Sequence, residues 1–280
     1  MATGLAHAGA PTSDQATLPI FRTLLGLQVL VAAAFGLLPF LAPEVFAALG
    51  GLTGAEPFVY RLAGAATMGY GVAALLALRQ PRWEELRIPM VATCAFNASA
   101  VVAMLLNVAD GEAPWIVWFI LVAASAFTLL SAYWLVRNQG PASDRTVPVG
   151  STFRIVLVPA TIAATVFGVL PLVFAEAMAS LGGFDTSELF PYRIAGAATV
   201  GYAAAGILQV RARSTTAIRL QVVAALVFNA FSAVAVLLYL IAGGGSPVAL
   251  LIGPAATAFA LAFAVWLLQE RSNPPMQGAA

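Results

Sequence analysis

Two sets of hydrogen-bonding side chains recur at one spacing: Thr67, Tyr70 and Asn97, then Thr199, Tyr202 and Asn229, each 132 positions later. A hydroxyl, a phenol and a primary amide can bind and orient a polar solute, or bridge helices by hydrogen bonds. They supply neither a nucleophile with its base nor a strong metal ligand set. Each set follows an arginine, Arg61 or Arg193, that lies near two acids: Glu44 and Glu56 in the first case, Glu176 and Glu188 in the second. What these groups can do depends on the elements that position them.

The chain is 61% apolar and 9% charged, with a mean hydropathy of +0.93. Soluble domains carry about 25% charged residues, so this sequence cannot cover a water-facing surface. Apolar runs of roughly 20 residues recur, the length a helix needs to cross a bilayer core of about 30 Å. The alternating ten-residue segments of a membrane barrel do not occur. The expected fold is an all-α membrane protein.

Shifting the chain by 132 aligns 21–138 with 153–270 without a gap, and 47 of the 118 positions are identical. The matches include "YRLAGAATMGY" with "YRIAGAATVGY", Pro39 with Pro171, Phe96-Asn97 with Phe228-Asn229, and Trp134 with Trp266. Such a register reads as a tandem duplication. Each copy divides into four apolar spans: 22–42, 60–78, 88–109 and 114–136, then 154–174, 192–210, 219–242 and 247–268. The expected organisation is a disordered cytoplasmic tail (1–20), repeat one (21–138), a polar linker (139–152), repeat two (153–270) and a short tail (271–280). The first residues lack a basic region, so the first span is expected to act as an uncleaved insertion signal.

All 13 basic residues are arginines, and eleven of them fall at the same side of the spans. The positive-inside rule then puts both termini in the cytoplasm. Four spans per copy bring each copy into the membrane the same way. Eight transmembrane helices in two parallel repeats, related by a pseudo-two-fold axis along the membrane normal, are therefore expected. Arg61 and Arg193 are the two exceptions, on the outer side with the acids. One reading is an ion pair that pins each first hairpin, Glu44–Arg61 and Glu176–Arg193. The other is a charged mouth that gathers ions on the outer face.

Depth distinguishes the other polar matches. Tyr70 lies nine residues beyond Arg61 and Asn97 ten beyond Arg87, so each reaches about 13–15 Å from its own edge, near the midplane. Thr67 is one turn from Tyr70, and Thr199, Tyr202 and Asn229 repeat the layer. Such a layer either holds helices together or lines a small polar pocket. Ala65 with Gly69, and Ala197 with Gly201, have the spacing that lets helix backbones approach closely.

Other absences narrow the function. No acid, lysine or histidine falls at mid-span, so a carboxylate proton relay is missing. The one cysteine, Cys94, has no pairing partner in the chain, and the one histidine, His7, lies in the polar tail. No metal site, cofactor or catalytic constellation is expected, and a net charge of +1 gives no reason to expect nucleic acid.

One half, with "LAPEVFAALGG", "YRLAGAATMGYG", an Arg-flanked third helix and the turn "ADGEAPW", resembles the small four-helix bacterial membrane families DUF4345 and DoxX-like. The resemblance implies the helical fold and brings no catalytic residues. The expected protein is non-enzymatic and multi-pass, in the cytoplasmic (inner) membrane. It would be an accessory subunit of a larger membrane complex, or hold a lipophilic molecule between its halves. The alternative is a small-solute transporter or channel that uses the Tyr/Asn layer.

Overall fold

A computed structural model of the chain describes residues 19–53, 56–79, 83–138 and 148–272. His7, Arg82, Arg145, most of the linker and most of both terminal tails lie outside the described residues. The described residues form helices and connections, without strands.

The first copy begins with α1 (Pro19–Ala32), which continues through a π-helical turn at Ala33–Leu37 into α2 (Leu38–Leu41). A short α3 (Pro43–Gly50) follows a break at Ala42, where φ is −139°. Then come α4 (Pro57–Ala77), α5 (Trp83–Ala109) and α6 (Trp115–Arg137). The second copy gives α7 (Ser151–Val173), α8 (Ala175–Gly182), α9 (Phe190–Arg211), α10 (Thr215–Ile241) and α11 (Pro247–Ser272). The short helices α3 and α8 lie just beyond the first spans read from sequence, 22–42 and 154–174. Each closes on a left-handed glycine, Gly51 at φ 72° and Gly183 at φ 65°, a conformation that costs an L side chain energy.

Among the described residues, seven helical segments are long and apolar enough to cross a membrane: Phe21–Leu41, α4, α5, α6, α7, α10 and α11. The exception is α9, where nine of 22 residues are Gly or Ala and Arg193 and Gln209 lie within the helix. It is also enclosed by α7, α5 and α4. A helix screened from lipid by its neighbours has less need of apolar bulk.

Packing crosses between the copies. Helix α4 lies against α10 of the other copy as well as against the first span of its own, and α9 lies against α5 of the other copy as well as against α7 of its own. Helix α1 covers α4, α7 covers α9, α6 covers α5 and α11 covers α10. Two layers result, one of α1, α4, α10 and α11, the other of α7, α9, α5 and α6. They meet across the central contact of α4 with α9. Small residues make the close approaches. A Cβ at Gly64 would stand 3.0 Å from the Phe40 nitrogen, and one at Gly196 would stand 2.6 Å from the Leu172 nitrogen. With lipid outside, such van der Waals contact drives helix association.

Candidate functional site

At the centre the two motif tyrosines meet. Tyr70 and Tyr202 are 2% and 6% exposed, and their rings lie 4.7 Å apart. Each phenol crosses to the opposite copy: Tyr70 donates to the Ala198 carbonyl at 2.7 Å, and Tyr202 donates to the Ala66 carbonyl at 2.9 Å. Phe96 stacks on Tyr70 and Phe228 on Tyr202. The space for each phenol is made by a motif glycine. The nearest atom to a Cβ at Gly69 would be the Tyr202 hydroxyl, and at Gly201 it would be the Tyr70 hydroxyl. The tyrosines are thus interlocked and their hydrogens are donated to backbone.

The rest of the layer is arranged differently from either reading of the sequence. Asn97 and Asn229 are half-buried, and each donates its amide hydrogen to the carbonyl four residues back on its own helix, Thr93 and Ala225, at 2.8 Å. Thr67 and Thr199 do the same towards Ala63 and Ala195. None of these four bonds bridges helices. Nor do the six side chains line one axial void. Tyr202, Thr199 and Asn229 border a crevice that lies to one side, while Tyr70, Thr67 and Asn97 do not.

That crevice has a volume of about 160 Å³ and lies between α7 and α9 on one wall and α10 and α11 on the other. Its lining runs from Leu157, Gln209 and Phe263 near the Arg-rich helix ends to Phe58, Met178 and Phe184 at the opposite ends. No charged side chain lines it. In the first copy the corresponding helices α1, α4 and α5 border a void of about 10 Å³.

Substitutions between the copies account for the difference. In the first seam Gln28 donates from Nε2 to Thr93 Oγ1 at 3.0 Å, tying α1 to α5. The corresponding residues of the second copy are Ala160 and Ala225, and both border the crevice. Phe35 stacks on Phe119 at 5.9 Å with ring planes 7° apart. Leu251 replaces Phe119 in the second copy, so Phe167 has no such ring opposite it. Both seams are closed alike at the Arg-rich end, by Phe21 with Trp134 at 5.1 Å and by Phe153 with Trp266 at 4.4 Å.

The expected pairs Glu44–Arg61 and Glu176–Arg193 do not form. Glu44 and Glu176 stand in the first turns of α3 and α8 with exposed side chains. Arg193 is buried and reaches the first copy instead, donating to Asn107 Oδ1 at 2.7 Å and forming an ion pair with Asp110. Nearby, Glu112 accepts from the Leu189 backbone, and Glu188 accepts from Tyr60 and from the Thr53 backbone. These contacts join the copies at the end away from the arginine cluster. Arg61 lacks the equivalent clasp: Asn107 and Asp110 correspond to Tyr239 and Ala242. Its Nε is buried without a hydrogen-bond partner. Burial raises the Glu56 carboxyl above the ordinary glutamate range, although its oxygens accept from the Phe58 and Asp185 backbones.

The sequence reading missed the crevice, Gln28, Thr93, Asn107 and Asp110. It weighed positions that repeat, whereas these are positions where the copies differ. No curated protein and no solved structure matches the chain. One family model does, and it spans both halves of the chain as a single unit. Matching over residues 26–268, the chain belongs to the family described as a domain of unknown function, DUF8292.

Proposed function

We propose that this is a non-enzymatic protein of the cytoplasmic membrane that holds a lipophilic molecule in the crevice between α7 and α11. The observation that carries the reading is the crevice itself, about 160 Å³ where the matching seam holds about 10 Å³. An apolar cavity of about 150 Å³ stays dry and accepts small hydrophobic molecules. The lining is long and uncharged, a form suited to an alkyl or polyprenyl chain. The helices that border its mouth turn exposed Ile162, Val166 and Leu251 outward, so a lipid can enter sideways from the bilayer.

The proposed topology has eight spans, with α9 as the screened eighth and both termini in the cytoplasm. The interlocked tyrosines and the reciprocal contacts of α4 with α10 and α9 with α5 support a pseudo-two-fold axis. Solute passage along that axis is the weaker alternative, because the phenols and rings fill it. Reporter fusions after Gly50, Trp83, Glu112 and Arg145 should alternate outside, inside, outside, inside; a cytoplasmic signal after Gly50 defeats the topology. Purification in mild detergent, with bound lipids identified by mass spectrometry, tests the holding function. The wild type should retain a lipid that the Ala160→Gln/Ala225→Thr variant loses. Identical lipid content in the two would contradict the reading.

A further inference from the structure

Hydroxyl and amide side chains within these helices commonly donate to the carbonyl four residues back, as Thr161, Thr199 and Asn229 do along the crevice. Two lining side chains do not. Ser232 Oγ and Gln209 Nε2 are buried, in residues only 3% and 4% exposed, and have no hydrogen-bond partner. Both residues border the crevice. Ser131 and Gln221 also carry unpartnered atoms, but away from it, so the missing partner has meaning only together with the void.

The first copy sharpens the point. Ser232 and Gln209 correspond to Ala100 and Ala77, while the mutually bonded Gln28 and Thr93 correspond to Ala160 and Ala225. In the filled seam the two side chains Gln28 and Thr93 are paired with each other. The seam that is open has two unpaired ones facing the space. A buried polar group without a partner forgoes a hydrogen bond that a ligand atom can restore. Gln209 Nε2 can only donate and Ser232 Oγ can donate, so an acceptor oxygen satisfies either atom. Gln209 stands two residues from Arg211, near the helix end, whereas Ser232 is 13 residues beyond Arg219, about 20 Å along α10. An ordinary headgroup at the interface does not reach that depth.

We infer that the crevice selects uncharged lipids whose chain carries carbonyl or ester oxygens, with Ser232 and Gln209 donating hydrogen bonds to them. The inference rests on the holding function proposed above. Purified protein in detergent is equilibrated separately with dioctyl ketone and with heptadecane, which differ by one mid-chain carbonyl, and retention is measured by mass spectrometry. The wild type should retain the ketone about tenfold more strongly than the alkane. The Ser232→Ala/Gln209→Leu variant, which removes unsatisfied groups and should fold, should retain both equally. Equal retention by the wild type, or a preference that survives in this variant, overturns the inference. If both probes bind equally and both are lost from Ala160→Gln/Ala225→Thr, the holding function stands and the selectivity falls. If the wild type retains neither, both fall.

Discussion

The two seams of the molecule are built from corresponding helices in the same order, each with a Phe–Trp pair at the Arg-rich end, yet one is filled and the other is open. The filled seam uses Gln28 against Thr93 and Phe35 against Phe119. The open one has Ala160, Ala225 and Leu251 at three of these positions and keeps Phe167 at the fourth. On the proposed function the two halves take different tasks: positions identical at the 132-residue offset build the scaffold, and positions that differ shape one seam for a ligand that the other does not hold.

The opposite ends of the helices diverge in the reverse sense. There the second copy's arginine is clasped and the first copy's is not. Arg193→Ala removes a guanidinium from a buried site bonded to Asn107 and Asp110. It should cost about 2–3 kcal/mol in detergent unfolding, the Asp110 side being partly open to solvent. Arg61→Ala should change stability by less than about 0.5 kcal/mol. Equal losses would erase the asymmetry.

The central contact should respond symmetrically. A Cβ at Gly69 or at Gly201 would stand 2.6 Å from a carbonyl oxygen, that of Ala224 or Ala92. Gly69→Ala and Gly201→Ala should each lower thermal stability, by about 1–3 kcal/mol through overpacking. A large effect from one and none from the other would show that the interlock is not shared.

Opening the filled seam is a smaller change. Gln28→Ala leaves Thr93 without its partner and removes side-chain volume, at a cost of about 1 kcal/mol. The same variant should give the first seam some capacity for the alkyl probe, measured as added retention.

The smallest expected effect is the pH dependence at Glu56. Its carboxyl is raised by burial, so the folded state holds the proton to higher pH than the unfolded chain does. The stability this contributes is complete below the ordinary glutamate range and is lost as pH rises through the folded value. Glu56→Gln should flatten that decline in unfolding scans taken across pH. An unchanged slope would assign the decline to other groups.

Much of this organisation could be read from the sequence because repetition is a strong signal. The span positions, the close-packed glycines and the burial of Tyr70 and Tyr202 followed from identical residues at a fixed offset. The Glu176–Arg193 pairing did not hold, because proximity along a hairpin says nothing of a turn that arrives from the other copy. Asp110 sits 83 residues from Arg193 and beside it in space. The crevice was hidden for a related reason. Gln28 and Thr93 look unremarkable until α1 and α5 are known to face each other across a seam.

The most direct test of the central claim is photolabelling with an alkyl lipid that carries a diazirine, in membranes, with adducts mapped by mass spectrometry. Leu157, Ala256 and Phe263 border the crevice, whereas Leu25, Ala124 and Ser131 are their counterparts in the first copy. All six residues are buried by the protein, so exposure to bulk lipid does not separate them. A lipid held in the crevice should label the first three and leave the second three unlabelled. Equal labelling of the two sets, or none on either, would contradict the account.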